Sequence, residues 1–282
     1  MIAPSLPTSE VLAHIAQKAG QLTLQYFRKN LKTTEKADNQ GLVTEADYAS
    51  EALIKDFIQK NYPDHAILAE ESGLHDATPH KAGAQRPIWI IDPIDGTTNF
   101  SKGNPYYCVS IGFGLQIGTR IEVLAGAIHH PPTGDTYTAD KGKGSFCNGE
   151  RLQVSQTGEL RLASVVTGFS SNKEERLKKI VESIYELQNH ILGLRINGAA
   201  ALDLAQTARG IFQGFYEDNL SAWDLAAGAL IAEEAGALVS NLAGLPLELP
   251  RDRSILCAPP ALWKDLQKVI VPIFYSDQET TS

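Results

Sequence analysis

WIIDPIDGTTNF, residues 89–100, is the stretch on which the reading of this chain turns. Trp89-Ile90-Ile91 reads as the tail of a buried strand. Asp92 and Asp95 follow around Pro93-Ile94, and the proline is expected to end the strand while holding Asp92 extended. Gly96 permits a tight turn, and Thr97 or Thr98 is expected to cap a helix behind it. Two carboxylates, backbone N–H groups and a hydroxyl then meet at one strand end. Those are the donors needed to hold divalent cations against a phosphate. Two acids beside three isoleucines, with a proline and a glycine fixing the backbone, exceed what a turn requires.

Outward from this stretch the apolar spacing alternates between helical and extended periods. Val11, Leu12, Ile15, Ala19, Leu22, Tyr26 and Phe27 predict a first helix started by Pro7-Thr8-Ser9. A second runs from about Thr44 to Asn61, with Ala49, Leu53, Phe57 and Ile58 inward and Pro63 as the stop. Ala66–Ala69 is a short buried strand ending at Glu70-Glu71, and residues 74–87 read as a polar loop. Strands near 107–115 and 121–129 are joined through Gln116-Ile117-Gly118-Thr119. Thr136–Thr138 and Ser145–Cys147 form another pair, and Asn148-Gly149 is a strong turn signal. The polar stretch 155–161 divides one catalytic unit into subdomains 1–157 and 158–282. In the second, Leu162–Val166 and strands near 191–196, 211–216 and 254–258 alternate with helices at 173–189, 199–208, 223–235 and 260–270. The 173–189 helix is expected to turn Leu177, Ile180, Val181, Ile184 and Leu187 to one face. This alternation predicts sheet covered by helices.

Composition narrows the function classes. The 282 residues are 43% hydrophobic and 21% charged, with a net charge of -8, enough for a sizeable core and without a basic patch for nucleic acid. An anionic small substrate stays open, since bound metal reverses a local field. Cys108, Cys147 and Cys257 are far apart, with neither a CxxC nor a zinc spacing, and read as free thiols of a reducing compartment. No signal peptide and no membrane-length apolar run stand out, so a cytoplasmic protein is expected. Gly112-Phe113-Gly114 lacks the third glycine and helix of a dinucleotide fingerprint, and Lys141-Gly142-Lys143-Gly144 lacks the Walker pattern. No GxSxG occurs. His129-His130 before two prolines reads as a strand end rather than a metal pair.

Three acidic groups stand at element ends: Glu70 after one strand, Asp92 and Asp95 after another, and Asp224 at the start of a helix. Their hard oxygens suit Mg2+ or Mn2+, with no His or Cys among them. Plainer readings compete. Asp224 lies three residues after Ser221 and Asp47 three after Thr44, so each fits the acidic half of a capping box, and Glu70-Glu71 fits a solvated loop pair.

Ala69-Glu70-Glu71-Ser72, WIIDPIDGTTNF and WDLAAGALIAEEAGA (223–237) resemble, in order, the three signatures of the inositol monophosphatase family. LVTEAD at 42–47, VSIGF at 109–113 and Gly198-Ala199-Ala200 fit in sequence, so the resemblance covers about residues 10–270. It implies an α+β fold, a layered αβαβα sandwich, usually homodimeric, that hydrolyses phosphate monoesters by metal-activated water attack. Carried onto this chain, Glu70, Asp92, Asp95, Asp224 and the Ile94 carbonyl would ligate roughly two or three Mg2+ ions. Glu70 and Thr97 would position the attacking water, and Asp47 would support Thr97 or a weaker third metal. The Gly96 and Thr97 amides would hold the phosphate, and Asp95 and Asp224 would also belong to the substrate-binding set. Gly198, Ala200 and Glu217 would contact the alcohol. Inositol 1-phosphate or a sugar-alcohol phosphate is the expected substrate, with histidinol phosphate, an adenosine bisphosphate or fructose bisphosphate as alternatives. Some bacterial relatives act as partners of the transcription machinery, a binding role of a different class. Ala69, Ala237 and Asn197 depart from the family pattern. Only Asn197 lies beside the alcohol pocket.

Overall fold

The computed structural model describes residues 6–35, 41–76, 85–169 and 174–275. Helix α1 (Ser9–Tyr26) follows an extended Thr8 that makes no side-chain cap bond. Its buried Leu12 and Ile15 contribute about 1.5–3 kcal/mol each, more than the roughly 1 kcal/mol a cap adds. A short antiparallel pair, β1 (Thr33–Glu35) and β2 (Leu42–Thr44), leads into α2 (Glu45–Asn61). Next come β3 (Ala66–Ala69), β4 (Gly73–His75), β5 (Arg86–Asp95) and the short helix α3 (Thr97–Ser101). They are followed by β6 (Cys108–Ile117), β7 (Arg120–His130), β8 (Asp135–Asp140), β9 (Ser145–Cys147) and β10 (Glu150–Arg151). The remainder comprises β11 (Ser164–Thr167), α4 (Glu174–Gln188), β12 (Gly193–Ile196), α5 (Ala200–Ala208), β13 (Gly214–Glu217), α6 (Ala222–Glu234), β14 (Leu238–Ser240), β15 (Ile255–Ala258) and α7 (Pro260–Tyr275).

Two mixed sheets result. The larger has eight strands in the order β10-β9-β8-β7-β6-β5-β3-β4, and only its β3–β5 pair is parallel. The smaller has five, in the order β12-β11-β13-β15-β14. Alternation along β5 explains the layering. Trp89 and Ile91 join Leu12, Ile15, Ile54 and Ile58 beneath α1 and α2, whereas Ile88 and Ile90 join Leu204, Leu225 and Ile231 of α5 and α6. On the smaller sheet, Phe215 and Cys257 face that same middle layer, while Val165, Tyr216 and Leu256 pack with Leu187, Leu262 and Leu266 of α4 and α7. The order α1/α2, sheet, α5/α6, sheet, α4/α7 is the expected αβαβα sandwich. Gly112 and Gly126 let the alanine-rich α6 settle close to the larger sheet. A Cβ at either would stand 3.0 Å from Ala226 or Ala227.

Several expectations are corrected. Pro93 does not end its strand: β5 continues to Asp95 through a bulge, with Asp92 opposite Ser110 and Asp95 opposite Cys108. A bulge suits a residue with no N–H to give the ladder. Neither Thr97 nor Thr98 caps α3; Gly96 occupies that place at φ 89°. On α2 the inward face is Ala46, Asp47, Ser50, Glu51, Ile54 and Ile58, with Ala49, Leu53 and Phe57 only half-buried. The polar residues are drawn in by partners in β5 and beyond, which apolar spacing does not register. On α4, Ile180 and Leu187 are buried, but Leu177, Val181 and Tyr185 are exposed. Part of the predicted 74–87 loop is β4, and 77–84 lie outside the described residues. The edge strands β1 and β14 are too short for a readable period. The three cysteines are free and buried. No helix among the described residues is long and apolar enough to cross a membrane.

Candidate active site

The bulged end of β5 faces the N-termini of three helices. Its geometry is held from α2, where Ser50 Oγ donates to the Pro93 carbonyl at 3.0 Å, and from within, where the Ile94 amide donates to Asp92 Oδ1 at 3.0 Å. Gly96 then turns the chain into α3. Its φ favours glycine, and a Cβ there would meet Tyr106 O at 3.0 Å and Ala199 Cβ at 3.1 Å.

Asp92, Asp95 and Asp224 each offer a carboxylate oxygen lying within 4.8 Å of the others. Asp92 and Asp95 are buried and Asp224 half-buried. Burial, then the like charges of Glu70, Asp95 and Asp224, push the Asp92 carboxyl well above the ordinary carboxylate range; a hydrogen bond with Glu70 adds to this. Burial pushes Asp95 up to about 7, against hydrogen bonds that pull it down. Glu70 continues β3, its amide bonded to the Ile91 carbonyl at 3.1 Å. The neighbouring Glu71 amide donates to Glu51 Oε2 at 2.9 Å, so this acid pair is anchored to α2 rather than being a free loop.

Asp47 and Asp224 both complete the capping boxes read from sequence, and both do more. The Thr44 amide donates to Asp47 Oδ2 at 2.8 Å, while Thr97 Oγ1 lies 2.9 Å from Asp47 Oδ1. The Ser221 amide donates to Asp224 Oδ2 at 2.7 Å, and the same side chain joins the acid cluster. Thr97 Oγ1 also lies 2.9 Å from the Ile94 carbonyl, so its single proton is shared between two acceptors.

Asp95 has a partner set that the sequence did not announce. Its Oδ1 accepts from the Ala200 amide at 3.1 Å, and its Oδ2 from Ala201 at 2.8 Å and Leu202 at 3.3 Å. Asp95 therefore caps α5, whose own N-cap residue, Ala199, has no side-chain acceptor. The Cys108 thiol stands 3.5 Å from Asp95 Oδ2. Ala200 is thus brought beside the cluster, with its amide given to Asp95. Gly198 is exposed at φ 80°. Glu217 is buried at the end of β13, with its carboxyl against Gly168. It is not one of the three acids that converge.

Sequence reading passed over Asp203 and Tyr106, took Asn197 only as a departure from the family pattern beside the alcohol pocket, and gave Asn99 no structural role. Asp203 Oδ1 accepts from Tyr106 OH at 2.6 Å and from Asn197 Nδ2 at 2.8 Å. Asn99 Nδ2 donates to the carbonyls of Tyr106 (2.8 Å) and Asn197 (2.7 Å). A signal was present: an aspartate within the apolar run AALDLAQTA has to be buried or to interrupt the helix face. His129 and His130 serve structure, bonded to Thr136 and to the Pro105 carbonyl at 2.9 Å each.

Fold and site together define a layered α+β protein with a carboxylate cluster able to hold a divalent cation. The comparisons agree. A family model described as the inositol monophosphatase family matches residues 7–279, and the chain belongs to that family. It is 37% identical over 257 residues to the putative Nus factor SuhB of Neisseria meningitidis, covering 90% of this chain and 94% of that one. It is also 37% identical over 245 residues to inositol monophosphatase 2 of Mus musculus, covering 85% and 81%. Among solved structures, the IMPase of Thermotoga maritima superposes with a TM-score of 0.82 at 28% identity, covering 95% and 98% of the two chains. SuhB of Bartonella henselae gives 0.81 at 32%, covering 93% and 97%. Family membership supports phosphatase activity.

Proposed function

We propose that this chain is a Mg2+-dependent phosphoric monoester hydrolase acting on inositol 1-phosphate or a related sugar-alcohol phosphate. The observation that carries the reading is the meeting of Asp92, Asp95 and Asp224 at the bulge that also presents Thr97. The donor set fits a hard cation: it is all oxygen, and burial together with the crowding of like charges raises Asp92, a strain that a divalent ion relieves. Glu70, Asp92, Asp95, Asp224 and the Ile94 carbonyl would hold the Mg2+ ions, with Mn2+ as a substitute. When bound, they would neutralise the phosphate and acidify a water. Thr97, with its proton shared between Asp47 and the Ile94 carbonyl, would keep a lone pair for orienting that water, and Glu70 would accept the water's proton. The Gly96 and Thr97 amides at the start of α3 would receive phosphate oxygens. Gly198, Ala200 and Glu217 would line the alcohol side. The protein would act in the cytoplasm as a homodimer, with subdomains 1–157 and 158–282 contributing the two sides of the site.

The test is Mg2+-dependent phosphate release from inositol 1-phosphate, histidinol phosphate, an adenosine bisphosphate and fructose bisphosphate. Release from the first at the highest kcat/KM is expected; no release from any of them would sink the reading. A second reading rests on the relatives named Nus factors and on the exposed stripe Leu177, Val181 and Tyr185. It is that this chain binds a component of the transcription machinery. Co-purification with RNA polymerase that is lost in Val181→Glu would support it.

A further inference from the structure

Resting on the phosphatase reading, we propose that Asp203, through Tyr106 and Asn197, is the positioning residue that fixes the alcohol side of the site. Asp203 is 1% exposed and belongs to α5, directly after the three residues whose amides Asp95 receives. Its Oδ1 takes both bonds, from Tyr106 OH in the segment after α3 and from Asn197 Nδ2 in the turn before α5. The Asn197 carbonyl is gripped separately by Asn99 of α3, which Asn104 orients in turn through its Oδ1 at 2.9 Å. The turn 197–199 is therefore tied at both its side chain and its backbone. That turn carries Gly198 and sets where α5 begins.

This arrangement answers what Asn197 does. Its amide points inward to Asp203 and also lies 3.4 Å from Tyr106 OH, so it is committed to the protein rather than to substrate hydroxyls. Asp203 is costly to bury, with burial raising its carboxyl to about 7 against the two hydrogen bonds that lower it. A core residue with no further task would more simply be apolar. Here the polar set holds a glycine-containing turn, which has no side chain of its own to pack, against the strand end that carries the acids. Small displacements at such a place cost binding geometry before they cost the fold.

The experiment measures kcat and KM for inositol 1-phosphate and for para-nitrophenyl phosphate, whose flat leaving group has no hydroxyls to read. Amide hydrogen exchange across residues 197–202 is followed in parallel. Asp203→Ala is expected to raise KM for inositol 1-phosphate about tenfold with kcat changed far less, to leave KM for the aryl ester near that of the parent, and to speed exchange at 197–202. Tyr106→Phe, which removes one donor without opening a cavity, should move the same quantities in the same direction by less. Asp203→Asn keeps the accepting Oδ1 and is expected to restore both KM and protection. Unchanged exchange at 197–202 in Asp203→Ala and Tyr106→Phe would overturn the proposal, as would a KM that rises equally for both esters. If the parent protein hydrolysed neither ester while exchange responded as described, the phosphatase reading would fall and the positioning role would stand.

Discussion

The N-termini of α2 and α6 are written almost alike, Thr44-Glu45-Ala46-Asp47 and Ser221-Ala222-Trp223-Asp224, and both fold into capping boxes. They differ in what lies beyond the cap. Asp47 is completely buried and spends its second oxygen on Thr97. Asp224 is half-buried and turns its carboxylate to Asp92 and Asp95. A carboxylate has about four lone-pair directions, and a cap occupies one or two. Local motif and tertiary role are therefore not alternatives: the same aspartate fulfils both, and its surroundings decide the second.

The sharpest test of this contrast is the pair Asp224→Asn and Asp47→Asn. An asparagine Oδ1 can still accept the N-cap amide that each aspartate holds. Asp224→Asn is expected to lower kcat on the order of a thousandfold, the loss of several kcal/mol of charge stabilisation, with the thermal midpoint kept or raised. Asp47→Asn should instead lower stability by about 1–3 kcal/mol in urea melts, because a buried amide cannot accept from Thr44 and Thr97 alike. The reverse pattern would break the comparison.

The acid cluster also imposes a pH signature. Asp95 titrates at about 7 in the folded protein, above the 3.8 of a free carboxyl. The folded state keeps that proton longer, so the associated stability is complete below 3.8 and is lost as pH rises through about 7. Urea melts in EDTA should show a decline of on the order of a few kcal/mol from pH 5 to 8 relative to the same melts in saturating Mg2+. Taking the difference at each pH cancels the buried histidines, which act oppositely: His129, lowered to about 4, loses stability as pH falls below 6.5. A difference independent of pH would remove the cluster from the account.

Thr97 and Thr98 give the finest test. Thr97→Ala removes the hydroxyl held by Asp47 and is expected to cut kcat about a hundredfold. Thr98 is exposed, and Thr98→Ala should stay within about 0.5 kcal/mol in stability and close to the parent in activity.

What was legible in the sequence follows from the range of the forces involved. Strands such as Ala66–Ala69 and the hairpin at Gly118 are set by local periodicity and turn chemistry, and their places were readable, as was the alternation of helix and strand behind the layered fold. The face of α2 was read only in part, Ile58 being buried and Leu53 and Phe57 packed against the core, because Asp47, Ser50 and Glu51 are buried by partners at Thr97, Pro93 and Glu71, all distant in sequence. The same holds for Asp95: its carboxylate could be nominated from the motif, but its role in capping α5 depends on residues more than a hundred positions away. Asp203 was legible as an anomaly and not as a role, since its partners come from two separate loops.

The bulge in β5 has a consequence in parity. Along an even strand, residues three apart stand on opposite faces. Asp92 and Asp95 are three apart, yet their partners, Ser110 and Cys108, are two apart and share a face. One surplus residue has changed odd to even and brought both acids to the same side. The two acids therefore share a face only while the surplus residue stays bulged: with the three-residue spacing kept and that residue drawn into a regular ladder, one carboxylate would turn to the other face of the sheet.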